Sequence, residues 1–295
     1  MSSSIHDILR NDSKRLKAAL NLDAGSARIE VQCLLQAVLR VNRAWLLSHP
    51  EQILDAEQQV RYTALFERRL RGEPLAYLLG EREFYGLNFK VTPATLIPRP
   101  DTELLVELSL QRIPQPSPQP SPACGRGGLF RVLDLGTGSG AIALSIAHAR
   151  PEAAVTAVDA SPEALDVARE NAQRLNISNV RLLHSDWFSA LAGEHFDLIV
   201  SNPPYIATGD AHLGQGDLRF EPRAALASGA DGLDDIRRIV AGAKEHLHAG
   251  GWLLFEHGYD QAGRARELLS AAGYTGVFSA RDLAGIERVS GGTIP

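Results

Sequence analysis

Up to about residue 75, apolar positions recur with the 3.6-residue period of amphipathic helices. Ile5, Ile8, Leu9 and Leu16 form one run, and Ile29, Val31, Leu34, Leu35, Val38 and Leu39 a second. Val60, Leu65, Phe66 and Leu70 form a third. Glycine is nearly absent and no strand-like alternation interrupts the pattern, so residues 1–75 are predicted to be a small helical domain. From Pro74 to Pro100 the texture changes. Residues 84–91 alternate in part between Gly80 and Pro93, which predicts a β-hairpin linker over 76–100. The segment Pro98 to Glu103 then opens a helix carried by Leu104, Leu105, Val106 and Leu108. Asp101 or Thr102 is expected to cap it, and Glu103 suits the positive end of the helix dipole. Residues 115–122 repeat Gln-Pro-Ser-Pro and lead into Gly125, Gly127 and Gly128. Such an insert (114–128) cannot build a core and is expected to be an extended, inert loop. Beyond it, strands at 130–135, 154–159, 180–184, 196–201 and 251–256 alternate with helices to about 149 and at 163–176, 233–247 and 261–272. Shorter strands at 276–280 and 287–290 end the chain. Repeated β-α units imply an α/β fold over 101–295, a largely parallel sheet covered on both faces. Ligands in such sheets sit at the carboxyl ends of the strands, near the switch in strand order.

Composition narrows the partners. The chain has 295 residues, 44% of them hydrophobic and 22% charged, enough for one large or two ordinary cores. The net charge of -5 argues against a protein that grips long nucleic acid by its phosphates. Residues 1–80 carry 11 Lys/Arg and 9 Asp/Glu, a balance of +2, whereas the rest is at -7. The helical segment is therefore either an ordinary solvated bundle or a mildly basic module that docks a partner. Cys33 and Cys124 are too few for a disulfide framework or a zinc site. His195, His246, His248 and His257 show no ligand spacing, so no metal is expected. With no leader-like start and no stretch of roughly 18 apolar residues, a soluble, cytoplasmic chain is expected, with no membrane contact.

Two motifs carry chemistry. Gly136, Thr137, Gly138, Ser139 and Gly140 follow the first strand of the α/β region and precede a helix, where glycine lets the backbone turn tightly against a ligand. Asp159, at the end of the next strand, lies 19 residues after Gly140, an offset at which an acidic side chain accepts hydrogen bonds from ribose hydroxyls. That spacing fits either a nicotinamide dinucleotide or S-adenosylmethionine. Asp186 and Trp187 end the third strand. Trp187 is read as stacking on adenine or as core, and Asp186 as accepting from the adenine amino group or as an ordinary surface acid. The second motif is Asn202, Pro203, Pro204 and Tyr205, directly after the apolar strand 196–201. An amide or exocyclic amino nitrogen is a poor nucleophile because its lone pair is delocalised. The Asn202 side-chain carbonyl and the Pro203 backbone carbonyl can accept its two N–H bonds, orienting the lone pair and favouring the positive charge that grows on nitrogen. The prolines stiffen the turn, and Tyr205 can cover the planar substrate group. Asn202 and Pro203 are thus the candidate catalytic residues. No strong base is required, because the methylated cationic amide is itself acidic.

The glycine loop within Asp-x-Gly-x-Gly-x-Gly resembles motif I of class I methyltransferases, and residues 202–205 resemble motif IV of those that modify planar nitrogens. With Pro93–Glu103, Gly216–Pro222, Phe255–Gly258, and Arg281–Leu283 followed by Glu287–Val289, the whole chain resembles the bacterial release factor glutamine methyltransferases, or protein-(glutamine-N5) methyltransferases. The resemblance implies a Rossmann-like class I methyltransferase sheet of seven strands, with a small N-terminal helical domain and a connecting hairpin. It implies methylation of the glutamine in the Gly-Gly-Gln loop of class 1 peptide-chain release factors, with S-adenosylhomocysteine as product and no stable nucleic-acid binding. Carried over, Gly136–Gly140 would hold the methionine part of the cofactor, Asp159 the ribose and Trp187 the adenine, with Asn202–Tyr205 clamping the glutamine. The nearest alternative is a glutamine methyltransferase acting on a large-subunit ribosomal protein. A DNA or RNA amino-methyltransferase would need base flipping or a single strand and fits the charge poorly. A non-enzymatic scaffold and a nicotinamide dehydrogenase fit less well still.

Overall fold

The structure is a computed structural model that describes residues 4–114 and 129–295. The Gln-Pro-Ser-Pro repeat, the glycines at 125, 127 and 128, and Cys124 lie outside the described residues.

Residues up to Glu81, together with 214–220, form one compact unit. It holds α1 (Ile5–Leu20), α2 (Ala24–Leu39), α3 (Arg43–Ser48), α4 (Ala56–Leu70) and α5 (Leu75–Leu79). The first four each start at a side chain that accepts a backbone N–H of the first turn: Ser4, Asp23, Asn42 and Asp55, the last in a reciprocal capping box with Gln58. The apolar stripes read from the sequence meet in one core around Ile5, Leu16, Leu34, Leu35, Leu46, Tyr62 and Phe66. Val60 and Ile29 are exposed instead, at the edges of their stripes. Arg69 is buried among these helices. Its guanidinium meets Glu30 at 2.7 and 3.1 Å and Asp217 of the 214–220 segment at 3.2 Å. A buried cation demands such partners, since removing a carboxylate would strand it out of water.

The second unit comprises 82–213 and 221–295. The hairpin strands β1 (Glu81–Phe84) and β2 (Leu87–Lys90) precede a 3₁₀ turn at Pro100–Thr102 and α6 (Glu103–Leu110). Neither Asp101 nor Thr102 caps α6, contrary to the expectation. Thr102 has helical dihedrals (φ -69°, ψ -19°) rather than the extended backbone a cap needs, and its hydroxyl is engaged elsewhere. Then follow β3 (Arg131–Leu135), α7 (Ala141–Ala149), β4 (Ala154–Asp159), α8 (Pro162–Arg174), β5 (Val180–His184) and β6 (Phe196–Ser201). The chain closes with α9 (Asp234–His246), β7 (Leu247–Glu256), α10 (Ala262–Ala271), β8 (Thr275–Arg281) and β9 (Glu287–Thr293).

These seven strands form one sheet in the order β5-β4-β3-β6-β7-β9-β8, parallel except for β9. The expected seven-stranded Rossmann-like sheet is therefore present. Two apolar clusters cover it, one around α6 and α7 and the other around α9 and α10. Every residue from Ala141 to Ala147 is buried, because α7 is packed between α6 and the sheet. Its sequence is accordingly apolar all round rather than striped. The chain steps outward from β3 to β4 and β5, then returns to the other side of β3 for β6 and β7. That reversal opens a crevice above the carboxyl ends of β3 and β6, and both sequence motifs leave the sheet there.

Candidate active site

A cavity of about 630 Å³ occupies this crevice, a size common for cofactor sites. It brings together Gly136, Thr137, Gly138 and Ser139 after β3, Asp159 after β4, Asp186 and Trp187 after β5, and Asn202 and Pro204 after β6. Gly140, Pro203 and Tyr205 do not line it. Gly140 has a structural task at the start of α7. Its φ of +85° suits glycine, and an added Cβ would come within 2.9 Å of Leu144 Cδ1.

The glycine turn is held by its neighbours. The Thr137 hydroxyl donates to Asp134 Oδ2 (2.6 Å), and the backbone N–H of Gly138 donates to Asp159 Oδ2 (2.8 Å). Asp159 also accepts from the Ser161 N–H (2.9 Å), while Ser161 itself caps α8. Burial raises the Asp159 pKa, and these N–H bonds work against that rise. Asp134 is fully buried at the end of β3. Desolvation pushes its pKa up to about 7, opposed by the Thr137 hydroxyl and the Ala143 N–H, and its Oδ1 has no partner in good hydrogen-bonding geometry.

Trp187 has φ +49°, a left-handed backbone that costs a non-glycine residue on the order of 1 kcal/mol or more. The turn around it is tied down. Ser185 Oγ donates to the Trp187 carbonyl (2.7 Å) and accepts from the Ala190 N–H (3.0 Å), and the Asp186 N–H donates to Ser189 Oγ (3.1 Å). The indole lies over Gly136, where an added Cβ would sit 3.5 Å from Cζ3. An aromatic face and a glycine backbone thus share one edge of the cavity. Asp186 is exposed and accepts from Arg238 of α9, whose Nη2 lies 3.0 Å from both carboxylate oxygens.

After β6, whose Ser201 pairs with Leu135 of β3, the Asn202 Nδ2–H donates to Thr102 Oγ1 (3.1 Å). The amide oxygen Oδ1 is therefore turned away from Thr102, as an acceptor. The Tyr205 hydroxyl is not laid across the cavity. It donates to Glu256 Oε1 (3.1 Å) at the end of β7, and burial beside that carboxylate drives the phenol pKa far above its ordinary value. The Tyr205 carbonyl accepts from Gln261 Nε2 (2.9 Å).

Several lining residues were not identified from the sequence as site residues. They include Thr102 and the 93–99 stretch, where Arg99 pairs with the fully buried Glu221 and the Ile97 N–H donates to the same carboxylate (3.0 Å). Both lie in segments that carry the family resemblance, yet nothing local in them marks a role. Among the described residues no cluster of His, Cys, Asp and Glu is arranged to hold a metal, and no helix is long and apolar enough to cross a membrane.

The Methyltransferase small domain family matches residues 127–217, and the PrmC N-terminal domain family matches residues 7–80. A methyltransferase from Pyrococcus furiosus shares the fold with a TM-score of 0.50 at 23% identity, covering 76% of this chain and 94% of that one. Fold and crevice together are those of a class I methyltransferase. A release factor glutamine methyltransferase of Bordetella pertussis is 54% identical over 271 residues, 92% of this chain and 96% of that protein. That of Burkholderia pseudomallei is 52% identical over 286 residues, 95% of each chain. The chain belongs to the release factor glutamine methyltransferase family.

Proposed function

We propose that this chain, acting in the cytoplasm, methylates the side-chain amide nitrogen of the glutamine in the Gly-Gly-Gln loop of class 1 peptide-chain release factors. S-Adenosylmethionine is the donor, and no metal takes part. The observation that carries this reading is the placement of Asn202. Its amide is fixed through Nδ2 in the same cavity that a glycine turn under an indole lines.

The cavity suits the cofactor. Gly136 and Gly138 adopt φ of +71° and +56°, so the backbone at 136–139 can come close to the methionine part. Asp159 is the acceptor for ribose hydroxyls, Trp187 the stacking face for adenine, and Asp186 the acceptor beside it. When bound, S-adenosylmethionine supplies a methyl group on a positively charged sulfur. The chain's own residues do the rest. Asn202 Oδ1 and the Pro203 carbonyl accept the two N–H bonds of the glutamine amide. Pro203 and Pro204 contribute no N–H to compete, and the rigid turn sets both acceptors in advance, where charge grows on the nitrogen. Half-buried, with its hydroxyl on Glu256, Tyr205 secures the turn rather than covering the substrate. The helical unit, with its mild positive balance, is assigned to docking the release factor.

The test is transfer of label from S-adenosylmethionine to purified release factor, beside a release factor whose Gly-Gly-Gln glutamine is alanine. Label on the first and none on the second is the expected result. No label on either, with cofactor binding intact, overturns the substrate reading in favour of a ribosomal protein.

A further inference from the structure

A cavity of about 630 Å³ takes in a cofactor and one side chain. The rest of a protein substrate must lie outside it, against the surface around the carboxyl ends of the strands. That end of the sheet carries most of the exposed apolar surface of the α/β unit. Among its described residues the exposed large apolar side chains are Leu129, Tyr259, Leu283 and Ile286. Leu129 precedes β3, at the far end of the sheet from Asn202. The other three sit on two loops at the near end. β9 runs antiparallel to both β7 and β8, so the loop after β7 and the turn at 282–286 leave the sheet on the side of the site. The His257 N–H donates to the Arg288 carbonyl (2.9 Å), tying the first loop to the base of the second.

The turn is built to hold its tip still. The Asp282 side chain is 5% exposed. Its Oδ1 accepts from the N–H groups of Ala284 and Ile286 (both 2.9 Å), and its Oδ2 from Arg288 Nε (3.1 Å). The Asp282 N–H donates to the Ile286 carbonyl and the Gly285 N–H to the Asp282 carbonyl (both 2.9 Å), while Arg281 Nη1 donates to the Gly285 carbonyl (2.7 Å). Leu283, inside this lattice of bonds, is fully exposed. A side chain whose backbone is already fixed has little entropy left to lose on being covered. The turn is also linked to the reacting end of the site. Arg288 holds Asp282 and pairs with Asp101 (3.4 Å), and the next residue, Thr102, accepts from Asn202.

We propose that Leu283, with Ile286 and Tyr259 at the same end of the sheet, is a docking patch for the protein substrate. Apolar surface flanking the glutamine loop of the release factor covers it when the glutamine reaches Asn202. The proposal rests on the substrate reading above, and it adds to the helical unit a contact on the unit that holds the site. Three side chains supply well under the roughly 800 Å² per partner of a stable interface. That suits a substrate that binds and leaves, and not a second copy of this chain.

The experiment compares full-length wild type with Leu283→Ser, Leu283→Asp, Leu283→Met and, as a control at the far end of the sheet, Leu129→Ser. It measures kcat and KM for release factor, cofactor affinity by calorimetry, the thermal midpoint, and the oligomeric state by sedimentation. Leu283→Ser and Leu283→Asp should raise KM about tenfold or more, with kcat and cofactor affinity within about twofold of wild type and the thermal midpoint unchanged. Leu283→Met, which keeps the apolar tip, and Leu129→Ser should keep the wild-type KM. The proposal is overturned if both polar variants at Leu283 keep the wild-type KM, or if Leu129→Ser raises it as much. A rise in KM that comes with lost cofactor affinity or a lower thermal midpoint makes Leu283 structural and overturns it too. A wild-type dimer that Leu283→Asp splits without a change in KM would give the patch to a second copy instead. A wild-type chain that transfers no methyl to release factor overturns the substrate reading, and the patch loses its occupant with it.

Discussion

In the proposed function Asn202 and Trp187 divide the work at the site, one toward the reacting nitrogen and the other toward the cofactor, so they should fail differently when replaced. Asn202→Ala removes one of two placed acceptors. A preorganised hydrogen-bonding group of this kind is typically worth about 10²-fold or more in kcat, so methyl transfer should fall by that order while cofactor affinity holds. Turnover near wild type, with folding and binding intact, would refute the role of Asn202. Trp187→Ala removes a stacking face worth about 1–3 kcal/mol. Cofactor affinity measured by calorimetry should drop by roughly tenfold or more, with less effect on kcat once cofactor saturates. The variant's backbone stays at φ +49°, because the Ser185 and Ser189 bonds hold the turn. An unchanged affinity would return Trp187 to the core-packing reading.

Among the elements, most of the sheet was legible because each strand is a short apolar run between turn residues. β4, β5 and β6 begin and end where the pattern places them. β7 starts four residues earlier than read, at Leu247. Gly250 and Gly251 look like a turn, yet they sit within the strand beside a register shift between Phe196 and Leu198, as glycines at a bulge do. The chemistry-bearing turns were legible because glycine and proline announce them locally. Thr102 and Glu256 were not, since their partners lie up to 100 residues away and only the sheet order brings them together. Ser161 is an element end that was not read from the sequence. It accepts the Ala164 N–H (3.1 Å) as the cap of α8, and Ser161→Ala should destabilise the chain by about 1 kcal/mol. The shift is measurable as a lower midpoint in urea with an unchanged slope. No shift would mean that the end of β4 and Pro162 position α8 without the cap.

For the molecule as a whole, the fully buried Asp134 makes stability depend on pH. Its folded pKa, about 7, lies above the ordinary 3.8. Between those values the folded state binds more protons than the unfolded chain, so this contribution is complete below about pH 4 and is lost as pH rises through 7. Taken alone, a shift of this size is worth on the order of 4 kcal/mol. His257, whose pKa burial depresses, contributes with the opposite sign up to its ordinary 6.5. The comparison therefore belongs between wild type and Asp134→Asn, both as apoproteins. Asparagine costs a fixed amount against the Ala143 N–H, but it does not titrate. Thermal midpoints should show the variant gaining on wild type from pH 5 to pH 8, and parallel curves would mean that Asp134 stays charged throughout.

Arg69 closes the helical unit on a residue that the ribosome reaches 148 positions later. The five helices and Glu30 leave the exit tunnel first and can associate at once, as leading domains do. Asp217 and the rest of 214–220 arrive only after β3, β4, β5 and β6 have been made. The first unit to begin folding therefore cannot be completed until β6 and the Asn202 turn after it have emerged. Any nascent chain halted before residue 214 carries that unit with a gap in its surface beside Arg69.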